Sequence, residues 1–311
     1  MEINLDVNKA LEVALNSIPR PDIDIKKVYK LQRGLGKLGG FDLFKAFYRI
    51  KDERVSYTGN SVRTRFFAPA IRPLKAGLIV FFHGGGWVTG DIDGYSGVCG
   101  HMAMNLSRPL ISVDYRLAPE HKFPLGFNDC YEACKYYFTN SMRLFGLPPE
   151  SLVLMGDSAG GNLAAAVSLK ARDSGDFRIG RQVLFYPALY NEHLETTPYI
   201  SAKKNRDNIF LTSKQVDEYL DLYQSCAADR INPYFAPLLA TDFSRLPDTL
   251  VITAGFDPLR DEGEDFGLKI QESGGRAEIR RIESASHGFL SQPIGFPLVR
   301  KCYAWINAFL E

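Results

Sequence analysis

Five short, unbroken apolar runs constrain this chain most strongly, because few folds can cover such segments on both sides. They are LIVFF at 78–82, LISV at 110–113, LVLM at 152–155, QVLF at 182–185 and LVITA at 250–254. Continuous apolar strands are typical of a parallel sheet that is buried on both faces. Helical stretches separate or follow the runs, at about 126–144, 158–172, 258–273 and 296–310. The alternation predicts a layered α/β fold with a mostly parallel sheet.

Two regions interrupt this alternation of strands and helices. Residues 1–50 have helical periodicity, and residues 190–235 are long for a loop. We expect the two regions to form a helical cap over a core made of residues 51–189 and 236–311. The alternative is a surface decoration that takes no part in function. Within the core, GN at 59–60 separates two short alternating runs and predicts a hairpin.

The charge balance argues against a nucleic-acid or membrane-surface partner, and the apolar pattern argues against a signal peptide and a spanning helix. The 311 residues include 37 Lys or Arg and 36 Asp or Glu, for a net charge of +1. This is not the basic surplus that attracts nucleic acid or an anionic membrane surface. The amino terminus lacks the apolar core of a signal peptide, and no apolar run reaches the ~18–20 residues of a spanning helix. We expect a cytoplasmic protein without a nucleic-acid or membrane partner.

Cysteine and glycine patterns give no sign of a metal or an organic cofactor. The five cysteines are scattered, and no cluster of His and Cys has the spacing of a metal site. We expect buried free thiols in a reducing compartment. GLGKLG at 34–39 matches a dinucleotide-binding pattern by letter, but it follows a charged helical stretch rather than a strand. We therefore expect neither a metal nor a cofactor.

The stretch GDSAGG at 156–161 follows the run LVLM directly and carries Ser158. Gly156 and Gly160 would let a strand and a helix meet at a sharp turn, which raises the serine hydroxyl above the sheet. A serine hydroxyl is a weak nucleophile and needs a base. A phosphate-binding loop is an alternative, but the lysine of that motif is missing. A plain turn also stays possible on this motif alone.

Two histidines follow Ser158 in the chain, and either could be its base. His193 lies in the irregular region, whereas His287 lies in a loop after the last predicted strand. Strand-end loops meet at one edge of a parallel sheet, and in this type of site the order along the chain is Ser, acid, His. We therefore expect His287 to be the base.

The acid is expected between Ser158 and His287, at the end of a strand. Asp257 follows LVITA and two further residues, whereas Asp261 and Glu262 lie one turn into the next helix. Acids in a first turn stabilise a helix, which gives Asp261 and Glu262 a structural explanation. We expect Asp257 to hold the tautomer of His287 and to stabilise its imidazolium.

The loop HGGGW at 83–87 follows the run LIVFF and carries three glycines. Their backbone N–H groups are unobstructed, so Gly84, Gly85 and Gly86, together with Ala159, are predicted to form an oxyanion hole. A glycine turn after a strand is the alternative. Trp87 could line a pocket or simply anchor the loop.

Five motifs, taken in order, resemble those of one known family: HGGGW, DYRLAPEHKFP, GDSAGG, DPLRDEG and HGF. They are similar to the signatures of the hormone-sensitive-lipase-like branch of the α/β-hydrolases, the bacterial family IV esterases, over nearly the whole chain. The resemblance implies an eight-stranded sheet with helices on both faces, a helical cap, and the triad Ser158, Asp257 and His287. Among the glycines it favours Gly85 and Gly86 as donors.

The resemblance implies a serine carboxylesterase that hydrolyses small-molecule esters of short acyl chains, acetyl to about hexanoyl, through an acyl-enzyme. It also suggests a homodimer. Two alternatives stay open: a relative that binds small molecules without catalysis, and an amidase or peptidase that uses the same triad. Cap sequences diverge within such families, so the physiological ester does not follow from the resemblance.

Overall fold

A single sheet organises the part of the chain that the structure, a computed structural model, describes: residues 24–37, 45–70, 74–208, 210–292 and 297–311. Its eight strands are β1 (Tyr48–Tyr57), β2 (Asn60–Pro69), β3 (Leu78–Phe82), β4 (Leu110–Asp114), β5 (Leu152–Asp157), β6 (Arg181–Phe185), β7 (Asp248–Phe256) and β8 (Ala277–Ser286). Their order is β1-β2-β4-β3-β5-β6-β7-β8. The first two strands are antiparallel to their neighbours, and all other pairs are parallel. The predicted, mostly parallel sheet is confirmed.

Helices flank the sheet on both sides. They are α1 (Ile25–Lys37), α2 (Ser96–Leu106), α3 (Leu125–Thr139), α4 (Ser141–Phe145), α5 (Ala159–Ser174), α6 (Ile200–Lys204), α7 (Ser213–Tyr223), α8 (Arg260–Glu272) and α9 (Pro297–Leu310). Short 3₁₀ turns lie at Lys45–Phe47, Pro149–Ser151, Ala227–Ile231, Pro237–Leu239 and Phe289–Ser291. Among the helices in the described ranges, none is long and apolar enough to cross a membrane.

The apolar runs are continuous because the sheet is buried on both faces. Along β3, Leu78, Val80 and Phe82 belong to one hydrophobic cluster, whereas Ile79 and Phe81 belong to another. The first cluster includes buried residues of α3, α5 and α8, and the second includes buried residues of α2 and α9. Successive side chains of a strand point to opposite faces, so every residue of β3 needs an apolar side chain.

Helix α2 is the element that the sequence pattern did not predict. Its buried residues Cys99, Met102, Ala103 and Leu106 share one face, but Val98 and Met104 outside that face are also apolar and half-buried, so the sequence SGVCGHMAMNL shows no contrast between an apolar and a polar side. A Cβ on Gly100 would overlap the ring of Tyr48, so this helix lies very close to β1. Periodicity identifies helices with one wet face, and a helix covered on several sides escapes it.

The regions expected to form a cap are described in part. The helix expected within residues 1–23 lies outside the described residues, and β1 begins at Tyr48 rather than after residue 50. Helix α1 contacts α7, since Glu218 accepts the Ile25 N–H at 2.8 Å and Asp221 pairs with Lys26. Arg33 of α1 donates to the carbonyl of Val88 at 2.7 Å. These two helices therefore lie over the loop that follows β3.

The cysteines are free, and four of the five are buried as expected. Cys226 is exposed, which corrects the expectation for that residue. It follows α7 and precedes a 3₁₀ turn, so the chain there lies at the surface. Cys130 and Cys134 are four residues apart and share the buried face of α3.

Candidate active site

Ser158 lies at the turn between β5 and α5, with the unusual backbone angles φ +55° and ψ −119°. A side chain at Gly156 would overlap the carbonyl of Gly160, and one at Gly160 would overlap the carbonyl of Phe82. Positive φ is costly for serine, and such strain is concentrated at functional sites. The two flanking glycines therefore permit a turn that holds Ser158 in this strained conformation.

Two side chains from distant parts of the chain meet Ser158. His287 Nε2 lies 2.9 Å from Ser158 Oγ, and His287 Nδ1 lies 2.8 Å from Asp257 Oδ2. The Asp257 side chain is fully buried, whereas that of His287 is 11% exposed. The other carboxylate oxygen of Asp257 accepts the Leu259 N–H at 2.9 Å, which orients the carboxylate. The arrangement can move a proton from the serine hydroxyl to the imidazole.

The alternative base and acids lie elsewhere. His193 Nε2 lies 2.6 Å from Glu262 Oε2, and both side chains are fully buried. Asp261 accepts the backbone N–H of Ser201 at 2.7 Å. These contacts give all three residues structural roles. The structure brings His287 and Asp257 to the serine, as the sequence pattern predicted.

The three glycines of the loop 83–87 have different surroundings: Gly84 binds a buried carboxylate, and the other two line the cavity. The Gly84 N–H donates to Asp157 Oδ1 at 2.8 Å and lies 3.1 Å from the Tyr95 hydroxyl. It is therefore not available to an oxyanion, which corrects the prediction for Gly84. Gly85, at φ +115°, and Gly86, at φ +60°, line the cavity beside Ser158.

Ala159 is the remaining predicted donor. It is the first residue of α5 and lines the same cavity as Ser158. N–H groups in the first turn of a helix have no partner within the helix and lie at the positive end of its dipole. Gly85, Gly86 and Ala159 therefore stay the candidate donors for developing negative charge.

Asp157 is the residue of this site that sequence reasoning missed. Its carboxylate accepts hydrogen bonds from the Gly84 N–H and, at 3.0 Å, from the Tyr95 hydroxyl. The Tyr186 hydroxyl lies 3.5 Å away, and the Tyr186 ring packs edge-on against His287 with centroids 4.8 Å apart. Burial raises the pKa of Asp157 to about 6, against the opposing effect of these hydrogen bonds. Its place beside Ser158 in GDSAGG was the available signal.

His83 supports the glycine loop from below. Its Nδ1 lies 2.8 Å from the Gly84 carbonyl, and its ring stacks on Tyr115 with centroids 4.4 Å apart. The Tyr115 hydroxyl donates to the His83 carbonyl at 2.7 Å. Burial lowers the pKa of His83, which favours the neutral imidazole. His83 is a structural part of the loop.

A cavity of about 180 Å³ opens directly above Ser158. Apolar side chains of the region 190–235 form much of its wall: Phe210, Leu211, Val216 and Tyr219. A Cβ on Gly86 would overlap the Tyr219 ring, so α7 packs closely on the glycine loop. Trp87 lines the cavity and also stacks on Tyr223 at 4.7 Å, which combines the two roles considered for it. The volume suits a small ligand group.

Among the residues that the structure describes, no group of three or more His, Cys, Asp and Glu side chains could hold a metal ion.

Comparisons with known proteins identify a family and several similar chains. A family model described as alpha/beta hydrolase fold matches residues 79–291. An arylesterase of Saccharolobus solfataricus is 35% identical over 244 residues, which are 78% of each chain. An ethyl acetate hydrolase of Pseudomonas putida is 28% identical over 235 residues, which are 75% of this chain and 72% of the relative. A solved hyperthermophilic esterase from Pyrobaculum calidifontis superposes with a TM-score of 0.83 at 32% identity, and covers 100% of this chain and 98% of its own.

Proposed function

Since the chain belongs to the α/β-hydrolase family, in the hormone-sensitive-lipase-like esterase branch, we propose that it is a serine carboxylesterase whose triad is Ser158, Asp257 and His287. The observation that carries the proposal is the pair of contacts made by His287, to Ser158 Oγ at 2.9 Å and to Asp257 Oδ2 at 2.8 Å. Ser158 and His287 line a cavity, and Asp257 is buried behind His287. The hydrogen bonds that run from Asp257 through His287 to Ser158 are the arrangement that acyl transfer through a serine requires.

In the first half of the proposed reaction, Ser158 Oγ attacks the ester carbonyl carbon while His287 Nε2 takes the hydroxyl proton. The negative charge moves to the carbonyl oxygen, where the N–H groups of Gly85, Gly86 and Ala159 stabilise it. Asp257 stabilises the imidazolium of His287. The tetrahedral intermediate then expels the alcohol, which receives the proton from His287, and leaves an acyl group on Ser158.

In the second half, water replaces the alcohol. His287 Nε2 takes a proton from the water as its oxygen attacks the acyl carbon, and the same donors stabilise the oxyanion. The intermediate collapses to a carboxylic acid, and Ser158 Oγ recovers its proton from His287. Bonds and protons balance with water as the sole co-reactant, so the cycle requires no metal or organic cofactor.

Short acyl chains fit the site best. The cavity of about 180 Å³ is smaller than the ~300–1,000 Å³ of sites for drug-sized ligands. One relative is an ethyl acetate hydrolase, whose name describes an acetyl ester. We propose small-molecule esters from acetyl to about hexanoyl as substrates, with the acyl chain against Phe210 and Leu211.

We also propose that α1 and residues 190–235 form a cap over the active site. The contacts between α1 and α7 and the cavity wall formed by Phe210, Leu211, Val216 and Tyr219 support this division. A cytoplasmic location and a homodimer are further proposals, and both rest on the sequence.

The test compares p-nitrophenyl acetate, butyrate, octanoate and laurate as substrates of the wild type, Ser158→Ala and Ser291→Ala. Ser291 lines the same cavity and has no part in the proposed chemistry, which makes it a matched control. We expect turnover to peak at acetate or butyrate. Ser158→Ala should lose about 10⁴- to 10⁶-fold in kcat, whereas Ser291→Ala should stay within about threefold of wild type.

Two results would contradict the proposal. A folded wild type that hydrolyses none of the esters would favour the alternative of a non-catalytic binding protein. A tenfold or larger preference for p-nitroacetanilide over p-nitrophenyl acetate would favour an amidase.

A further inference from the structure

Side chains of the inserted region, residues 190–235, donate hydrogen bonds to the backbone of the loop that carries Asp257, whose own carbonyl also accepts the Arg260 N–H at 3.3 Å. Three consecutive carbonyls, of Phe256, Asp257 and Pro258, each accept a hydrogen bond from one side chain of that region. The three donors and their distances are Asn208 Nδ2 at 3.0 Å, Asn205 Nδ2 at 3.2 Å and Ser201 Oγ at 2.9 Å, in that order. β7 ends at Phe256 and α8 begins at Arg260, so the carbonyls lie between regular elements.

The three donors lie on one face of a short helical segment. Their spacing of four and three residues places them on one side of α6 and the turn that follows it. Ser201 and Asn208 are buried, and Asn205 is half-buried. Ser201 makes two more contacts with the first turn of α8, because its N–H donates to Asp261 Oδ2 and its hydroxyl accepts the Asp261 N–H at 3.0 Å. We call these three residues the polar latch.

The polar latch also reaches the cavity wall. Asn208 Oδ1 accepts the Phe210 N–H at 2.9 Å, while its amide nitrogen donates to the Phe256 carbonyl. Phe210 and Leu211 line the cavity above Ser158. A single buried side chain therefore connects the pocket wall with the residue before the proposed catalytic acid.

We propose that Ser201, Asn205 and Asn208 are positioning residues that hold the Asp257 carboxylate against His287, an inference that rests on the proposed function of the triad. Buried carbonyls need partners, and the inserted region supplies them at the one loop whose position decides the hydrogen bond between Asp257 and His287. A shift of about 1 Å in a supporting group can cost on the order of 10²-fold in rate. The inserted region would then shape the pocket and also orient the acid.

The first test observes the hydrogen bond without any substrate. A proton held between an imidazole nitrogen and a carboxylate gives a far-downfield ¹H NMR signal. His287 with Asp257 is such a pair, and so is His193 with Glu262. Asp257→Asn assigns the first signal, and the second is an internal reference. In the double variant N205A/N208A we expect the His287 signal to move upfield or to vanish by exchange, with the His193 signal unchanged.

A matched control removes an amide from the same region but not from the loop. Asn232 accepts the Tyr234 N–H at 2.8 Å, so Asn232→Ala loses a local hydrogen bond of similar kind. Both signals should keep their wild-type positions in this variant. The single variant Asn205→Ala alters a half-buried position, and it tests the inference if the double variant does not fold.

Two spectroscopic outcomes would overturn the inference. An unchanged His287 signal in the folded double variant would mean that the core alone holds Asp257. Loss of both signals would mean general loosening rather than positioning.

The kinetic test uses p-nitrophenyl acetate and the same variants. We expect N205A/N208A to lower kcat by about 10- to 100-fold with KM within about threefold. A rise in KM with unchanged kcat would overturn the inference. A wild type inert toward esters, with the expected NMR change, would refute the proposed function and leave the positioning role supported.

Discussion

Two histidine–carboxylate pairs in the described part of the molecule look alike at close range. His287 lies 2.8 Å from Asp257, and His193 lies 2.6 Å from Glu262. Each carboxylate also accepts a backbone N–H, from Leu259 in the first pair and from Leu189, at 2.6 Å, in the second. The two pairs share their chemistry and differ in what surrounds the second imidazole nitrogen.

At His287 the second nitrogen lies 2.9 Å from Ser158 Oγ and opens onto the cavity. At His193 the second nitrogen is buried and has no hydrogen-bond partner in the described structure. The His193 pair joins the start of the inserted region to α8. The comparison teaches that a buried His–carboxylate hydrogen bond does not define a catalytic site, since a nucleophile and access to a cavity must be added to it.

The largest expected effect tests the pair at the cavity. Asp257→Asn should lower kcat by about 10⁴-fold, because the amide cannot stabilise the imidazolium and favours the wrong tautomer. Its thermal midpoint should change little, since the side chain keeps its size. Steady-state kinetics with p-nitrophenyl acetate, alongside a thermal melt, measures both quantities. If kcat of the folded Asp257→Asn variant falls by less than tenfold, the His287 pair would be no more important for the reaction than the His193 pair.

The second prediction concerns the enclosed pair. His193→Ala should lower the free energy of unfolding by about 3 kcal/mol, because the buried Glu262 carboxylate loses its His193 hydrogen bond and keeps only backbone N–H donors. Urea denaturation measures this loss. For the fraction that stays folded, kcat should lie within about threefold of wild type. A fall in kcat as large as that of Asp257→Asn would mean that the enclosed pair takes part in the reaction.

The third prediction concerns Asp157, whose carboxylate accepts the Gly84 N–H of the glycine loop. The pKa of Asp157 is raised from 3.8 to about 6 by burial, so the folded state holds this proton more tightly than the unfolded state. Below pH ~3.8 Asp157 is protonated in both the folded and the unfolded state. Between pH ~3.8 and about 6 the unfolded state releases this proton first, so the free energy of unfolding falls by on the order of 3 kcal/mol. This part of the pH dependence should vanish in Asp157→Asn.

Urea titrations of the wild type and Asp157→Asn at intervals from pH 4 to pH 7 provide the measurement. The wild type should lose stability over this range relative to the variant. Parallel curves for the two proteins would contradict the raised pKa. The variant should also lose activity, because the Gly84 N–H and the Tyr95 hydroxyl lose a charged acceptor.

The smallest expected effect concerns the cavity, which is lined by His287 and not by His193. Phe210→Ala removes a wall that is 56% exposed and should raise the octanoate-to-acetate ratio of kcat/KM by about three- to tenfold. Stability should stay nearly constant at such an exposed position. The p-nitrophenyl ester series measures the ratio, with Met142→Ala as a control at another exposed apolar residue. An unchanged ratio would place the acyl chain elsewhere.

Much of the fold could be predicted because its signals are local. The five apolar runs became β3 to β7, and the GN turn became the hairpin of β1 and β2. The resemblance to the hormone-sensitive-lipase-like esterases is confirmed by the family match and the relatives. Helix α2 escaped prediction because it is covered on several sides, and Gly84 was assigned wrongly because its N–H partner, Asp157, lies 73 residues away in the chain.

What the sequence determined by itself is the set of chemical groups and their order: a serine between glycines at a strand end, then an acid, then a histidine. Short-range sterics explain the glycines on either side of Ser158, since only glycine fits at 156 and 160. The tertiary structure decided which glycine N–H is already engaged and which inserted residues donate to the loop that carries Asp257. Those choices depend on distances between residues far apart in the chain, such as the 73 positions between Gly84 and Asp157, and no local pattern encodes them.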